Sequence, residues 1–386
     1  MRTLDVNMPE RERASYPLVF GQDLAPSVRE WVASRGLRGR AVLISDTTVA
    51  AAHGERWSGI LGAAGLTVTS ISFPPGEGSK TRESKHRIED QMLAAGLGRD
   101  ALVVAIGGGV TLDLAGFVAA TYMRNLPWIA LPTTTLAMVD SSIGGKTGVD
   151  TEAGKNLIGA FHPPQAVFAD IKHLETLPQG TYLDGFAEAI KHGLIASQEH
   201  FAALEAMSDR IKAREPAALE SILSDSAAIK VRFVEEDEQE ADARKALNYG
   251  HTFAHALERL SSWQLPHGQA VARGLIAEGR LSRALGMFSE PEEERLQALL
   301  VRYGFSPEPF DGLPDELRPE PHGSLAAADY LAATRLDKKV RAGKVEYVLL
   351  AGIGEVARDE SVKRAWARPV DDEIVRSALL TPVGLS

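Results

Sequence analysis

The chain is expected to pair an α/β nucleotide-binding domain, built on a Rossmann-like parallel sheet, with a mostly α-helical second domain. Three observations lead there. Its 386 residues exceed the usual size of a single core. The first half alternates short apolar runs with segments of helical spacing, the signature of parallel strands joined by crossover helices. After TLPQGTY (176–182) the texture changes to runs rich in Ala, Leu, Glu and Arg. Pro178-Gln179-Gly180 marks the break, which gives a domain over 1–180 and another over 181–386.

In chain order, AVLISD (41–46) reads as a buried strand and LTVTSISF (66–73) as a second, with the helical spacing of AAHGERWSGILGAAG between them. ESKHRIEDQMLAAGL (83–97) predicts a helix, ALVVAIGGG (101–109) a strand, TLDLAGFVAATYM a helix and PWIALPTT a strand. Downstream, GFAEAIKHGLIA, the run from AALESILS to KALNYG, and GQAVARGLIAEGRLSRALG predict helices. No repeat or low-complexity stretch stands out.

Composition narrows the function classes. With 42 basic against 52 acidic residues and no basic tract, the chain is a poor ligand for nucleic acid or an anionic membrane. There is no cysteine, so disulfides, thiolate metal sites and Cys nucleophiles are excluded together, and any metal must use His, Asp or Glu. MRTLDVNMPERERASY has no apolar signal core and no apolar run is long enough to span a bilayer, so a cytoplasmic protein is expected.

Four stretches carry chemistry. VVAIGGGVTLDLAGF places Gly107 to Gly109 between a strand and a helix. Bare backbone and the positive end of a helix there suit a dinucleotide pyrophosphate, although this is not the G-x-G-x-x-G fingerprint. Asp46, ending an earlier strand, reads equally as a ribose acceptor or a helix cap. Arg244, Asn248, His251 and His255 follow at spacings of four, three and four, which would line one face of a helix, with Gly250 interrupting it. Packing, metal binding and proton transfer compete as uses for these histidines. Two His and one Glu are a common catalytic zinc set, and Glu188, His251 and His267 would supply it, with His192 a rival by spacing. HTFAH is not the zinc-peptidase H-E-x-x-H, since Thr252 follows the first His. Finally, residues 129–164 look loop-like, dense in Gly, Ser and Thr around Asp140, Lys146, Lys155 and Asn156, with Arg124 upstream. Cations on turns at a domain junction suit an anionic small molecule.

GGGVTLDLAGF, LPTTTLAMVDSSIGGKTGVDTEAGKNLIGAF, GFAEAIKHGLI, LNYGHTFAHALE, LPHGQAVARG and LDKKVRAGKVEYVLL, in this order, resemble the 3-dehydroquinate synthases of the sugar phosphate cyclase superfamily, over roughly residues 40 to 355. The resemblance implies an NAD site at Asp46, Glu77, Lys80, Gly108, Gly109, Asp113, Thr133, Thr134 and Thr176. It implies a zinc or cobalt ion on Glu188, His251 and His267, the position of His192 being commonly Tyr in the family. It implies that Lys146, Asn156, Asn248, His255, Lys338 or Lys339, and Arg124 from a neighbouring subunit contact the substrate phosphate, His255 also moving a proton. Lys230 and Arg244 would take the substrate carboxylate, and Asp140, Lys155 and Lys191 would order hydroxyls and water.

The activity implied is closure of 3-deoxy-D-arabino-heptulosonate 7-phosphate to 3-dehydroquinate and phosphate by a cytoplasmic homodimer, a step of the shikimate route to aromatic amino acids. Asn248 and His255 tend to be replaced in relatives acting on sedoheptulose 7-phosphate. A synthase for the amino analogue would look nearly the same, and a metal-dependent polyol dehydrogenase shares the broad architecture. Three positions depart from the family pattern: Leu112 for a glycine beside the nucleotide loop, His173 for an apolar or aromatic residue, and Gln269 for a glutamate.

Overall fold

Apolar runs become strands first. In the computed structural model, which describes residues 15–152, 154–318, 323, 325–335, 340–341, 344–358 and 366–379, six parallel strands form one sheet in the order β1-β8-β5-β4-β2-β3. They are β1 (Leu18–Gly21), β2 (Gly39–Asp46), β3 (Leu66–Phe73), β4 (Leu102–Gly107), β5 (Trp128–Pro132) and β8 (Ala166–Asp170). Central β4, β5 and β8 are buried at every residue, which is why they read as unbroken apolar runs. β3 alternates buried and exposed residues because it is an edge strand.

Helices α1 (Ala25–Ser34), α3 (Glu55–Ala63) and α4 (Arg82–Ala94) each bury one stripe against the sheet, such as Val28, Trp31 and Val32 of α1. A single turn, α2 (Thr47–Val49), follows β2. α5 (Gly109–Thr121) is buried from Thr111 to Ala119 except at Asp113, between the sheet and a hairpin. That hairpin, β6 (Lys146–Thr151) with β7 (Gly154–Phe161), corrects the loop-like expectation for residues 129–164. Its glycines serve close packing rather than turns: a Cβ on Gly159 would lie 2.1 Å from the Thr147 carbonyl oxygen.

From Gln179 onward the described chain is mostly helical: α6 (Gln179–Asp184), α7 (Phe186–Ala196), α8 (Gln198–Lys212), α9 (Pro216–Glu236), α10 (His251–Leu260), α11 (His267–Ala284) and α12 (Glu290–Arg302), followed by α13 (Ala327–Arg335), short strands and α14 (Asp372–Leu379). Pro178 stands at the N-cap position of α6. Their apolar faces meet in a core around Phe186, Ile190, Phe201 and Leu275. No helix among the described residues is long and apolar enough to cross a membrane.

Candidate metal and substrate site

The helix read through Arg244, Asn248, His251 and His255 is two pieces. Ala243–Asn248 is a 3₁₀ turn, and α10 begins at His251 after Gly250, whose φ of 80° only glycine adopts easily. The bend aims both pieces at one place. The His251 Nδ1–H is held by the Tyr249 carbonyl at 3.1 Å, which leaves Nε2 facing Glu188 Oε1 at 3.3 Å. His267 opens α11, where the Asp184 carboxylate accepts from the amides of Gly268 and Gln269 at 2.9 and 3.1 Å. Its Nε2 lies 3.2 Å from the same Glu188 oxygen, and its Nδ1 lies 3.3 Å from Glu258.

Two imidazole Nε2 atoms and a carboxylate oxygen thus lie within 4.8 Å of one another, each ring fixed through its other nitrogen. That donor set and its second contacts fit a divalent ion. Asp140, Glu188 and His192 form a second group of this span. Lys230 already pairs with its Asp140 carboxylate, so a cation there would face an ammonium group that the first group does not meet, while Lys191 pairs with the Glu188 that both groups share. The His192 ring, fully buried, bonds Ser226 at 2.8 Å, and burial with Lys191 beside it drives its pKa down to about 3. Burial likewise lowers His251 to about 4, whereas at His267 the Glu188 and Glu258 carboxylates outweigh burial and raise the ring to about 10.

Beside this group opens a cavity of ≈ 1040 Å³. Its walls include Asp140, Lys146, Lys155, Asn156, Lys230, Arg244, Asn248, His255 and His267, together with Glu77, Lys80, Gly109 and Asp113. Lys230 donates to the Asp140 carbonyl and carboxylate at 2.6 and 2.7 Å. Burial pushes the Asp140 carboxyl up, but the charge and hydrogen bond of Lys230 together with the charge of Lys191 hold it below the usual range. Burial lowers Lys230 to about 8. Buried Lys80 donates to Asp113 at 2.6 Å and to Asn156 at 2.5 Å, which ties α5 to the hairpin.

The other nucleotide candidates gather where β2, β4 and β5 end, the usual position for a ligand on an open parallel sheet. Gly108 caps α5 and packs against Thr134, while the Thr133 amide donates to the Gly107 carbonyl at 2.9 Å. Asp46 caps α2 through one oxygen, which accepts from Thr48 and Val49; Thr176 bonds His53 at 3.0 Å. Arg124 lies elsewhere, exposed beyond the far end of α5 and outside the cavity wall. Lys338 and Lys339 lie outside the described residues.

Residues 70–184 match the family model described as 3-dehydroquinate synthase N-terminal, and residues 185–340 match 3-dehydroquinate synthase C-terminal. The chain belongs to the 3-dehydroquinate synthase family. Curated 3-dehydroquinate synthases of Acidithiobacillus ferrooxidans and Nostoc punctiforme are each 41% identical to it; the alignments cover 92% and 95% of this chain and 93% and 98% of theirs. Among solved structures it resembles 2-epi-5-epi-valiolone synthase from Streptomyces hygroscopicus subsp. jinggangensis 5008, with NAD+ and Zn2+ bound. That match has a TM-score of 0.83 and 25% identity, over 97% of this chain and 98% of that one. A 2-deoxy-scyllo-inosose synthase complexed with carbaglucose-6-phosphate, NAD+ and Co2+ matches with a TM-score of 0.82 and 25% identity, over 94% and 96% of the two chains.

Against this family frame, sequence reading missed several residues of the site. Glu258 holds His267 and lies 3.3 Å from Lys155; its position, three after His255 on the same helical face, was a usable signal. Asp184, the cap beneath His267, precedes it by 83 positions and gave none. Glu240 reaches Lys146 and Asn248 from a loop and gave none either.

Proposed function

We propose that this chain closes 3-deoxy-D-arabino-heptulosonate 7-phosphate to 3-dehydroquinate with loss of inorganic phosphate, a carbon–oxygen lyase reaction. The observation that carries this reading is one cavity that is lined by a set of cations, reaches the two-His, one-Glu donor set at His267, and meets the start of α5 at the end of the parallel sheet. NAD and a divalent ion, when bound, would supply reversible hydride transfer at the C5 hydroxyl and Lewis acidity at its oxygen. Glu188, His251 and His267 would hold the ion. Glu77, Lys80, Gly109 and Asp113, with Asp46, Gly108, Thr133, Thr134 and Thr176 at the strand ends, would hold the dinucleotide.

The chain's own side chains then divide the work. Lys146, Asn156 and Asn248, with His255, bind the phosphate and fix its line of departure; orientation of this kind contributes several kcal/mol. His255 moves the proton whose loss from C6 accompanies phosphate departure. Lys230 and Arg244 anchor the carboxylate. Asp140, Lys155 and Lys191 order the hydroxyls around the reacting carbons.

The division into domains 1–180 and 181–386 belongs to this reading, as do a cytoplasmic site and a homodimer. One feature supports the dimer. Arg124 is exposed beyond the far end of α5 and outside the cavity wall, so a contact of it with a phosphate would be in a partner's cavity. The test is phosphate release from the heptulosonate phosphate, with and without a chelator, and identification of the product by NMR. Chelator-insensitive turnover, or NADH accumulating without phosphate release, would refute the proposal.

A further inference from the structure

One carboxylate of the cavity wall sits on two of the groups assigned to the phosphate. The Glu240 carboxylate pairs through Oε2 with Lys146 and accepts through Oε1 from Asn248 Nδ2 at 2.6 Å. Lys146 and Asn248 are two of the groups assigned above to the substrate phosphate, and Glu240 lines the same cavity. Arg244, one turn from Asn248, adds to the field on this carboxylate; burial pushes its pKa up, but Lys146, Asn248 and Arg244 hold it below the usual range.

The placement is built by the backbone. Glu240 has φ +59°, the left-handed region that a glutamate seldom enters. The loop carrying it is pinned by Asp237, whose carboxylate accepts from the amides of Ala241, Asp242 and Arg244 at 2.9, 2.6 and 3.2 Å. Only the side chain must turn for the carboxylate to leave. Lys146 is 45% and Glu240 28% exposed, so solvent weakens the pair. A phosphate monoester, carrying close to two negative charges and three acceptor oxygens, competes well against one carboxylate.

We propose that Glu240 is a built-in occupant of the phosphate subsite. Its carboxylate covers the Lys146–Asn248 cradle between turnovers, yields to the incoming phosphate monoester, and returns as inorganic phosphate departs. The proposal rests on the phosphate-subsite assignment made above. It gives the enzyme a way to hold its substrate by these cations without retaining the product on them. An occupant engaged nine-tenths of the time lowers apparent phosphate affinity about tenfold.

The experiment is calorimetric titration of inorganic phosphate into the full chain loaded with NAD and zinc. Glu240→Gln and Glu240→Ala should each bind phosphate about tenfold more tightly than the parent. Inhibition of turnover by added phosphate should sharpen in parallel, while Lys146→Met binds phosphate more weakly. Unchanged or weaker phosphate binding in both Glu240 variants, with Lys146→Met still weakened, overturns the role of Glu240 and leaves the subsite standing. Phosphate affinity unchanged in Lys146→Met refutes the subsite assignment itself, and the role of Glu240 with it.

Discussion

Replacing Gly274 by alanine should cost the protein its metal before it costs the fold. Gly274 lies in the middle of α11 directly beneath Gly250, and a Cβ added there would stand 1.9 Å from the Gly250 carbonyl oxygen and 2.8 Å from its carbonyl carbon. Both atoms are backbone, and Gly250 is fixed at φ 80°, so no side chain can swing aside. Contacts shorter than 3.0 Å are not sustained, so the turn must retreat by about 1.1 Å, against the roughly 0.2 Å tolerance of a metal–ligand distance. The next residue along is His251. Overpacking of this kind costs about 1–3 kcal/mol of stability, and a displaced ligand should weaken zinc by about 100-fold, at the upper end for disrupted support of a metal site.

Thermal unfolding with and without zinc separates the two effects. Zinc at 100 times its dissociation constant stabilises the parent by about 2.7 kcal/mol; after a hundredfold loss of affinity the same concentration gives about 0.4 kcal/mol. Gly279→Ala, on the same helix with its nearest foreign atom at 3.3 Å, should keep the full increment. A Gly274→Ala protein that melts lower but retains the whole zinc increment would refute the claim that this contact places His251.

The remaining predictions concern pH. Lys230 is lowered to about 8 by burial, and only its ammonium form can hold the substrate carboxylate. KM should therefore be flat below pH 7 and rise up to about tenfold per unit above 8; a flat KM to pH 10 would count against Lys230 as an anchor. His173 is lowered to about 4, again by burial, from the 6.5 of a free imidazole. The unfolded chain then binds the extra proton, so its contribution to stability is intact above 6.5 and falls by about 3 kcal/mol as pH drops to 4. Denaturant unfolding of His173→Phe between pH 4 and 7 should show a shallower acid loss than the parent, and identical slopes would contradict the assignment.

What was legible in the sequence follows from what local pattern encodes. β2, β3, β4 and β5 could be placed because buried or half-buried strands write their environment into consecutive residues. β1 and β8 could not: LVFG is four residues long and partly buried throughout, and AVFAD is a short run between loops. The hairpin β6–β7 was hidden because its glycines, Gly148 and Gly159, look like turn residues but are spaced for close approach of two strands. Among site residues, those on recurring helical faces were visible, and Glu188, His251 and His267 do converge as spacing allowed. His251 and His255 follow a break at Gly250 rather than continuing one helix, because a left-handed residue is needed to aim them. Partners chosen by tertiary contact, such as Asp184 and Glu240, leave no periodic trace.

Leu112, His173 and Gln269, which the resemblance marks as departures from the family pattern, each have a structural place of their own in this chain. Leu112, on the first turn of α5, is 1% exposed and points into the core with Val42, Ile44 and Val103, so the methyl groups that replace a glycine fill the underside of the helix, away from the cavity. His173 is satisfied on both nitrogens: Trp57 donates to Nε2 at 2.8 Å, which leaves Nδ1–H for the Pro132 carbonyl at 3.1 Å. That carbonyl belongs to the residue before Thr133, so a polar ring does here what an apolar one would do by packing, and adds a directed bond to the end of β5. Gln269 keeps the backbone bond to Asp184, and its side chain accepts from Arg273 one turn on, at 3.2 Å. A glutamate there would make the same contact and place another negative charge two residues from His267, already flanked by Glu188 and Glu258. Each of the three side chains is thus held by a neighbour behind the wall, and none of them touches Glu188, His251 or His267.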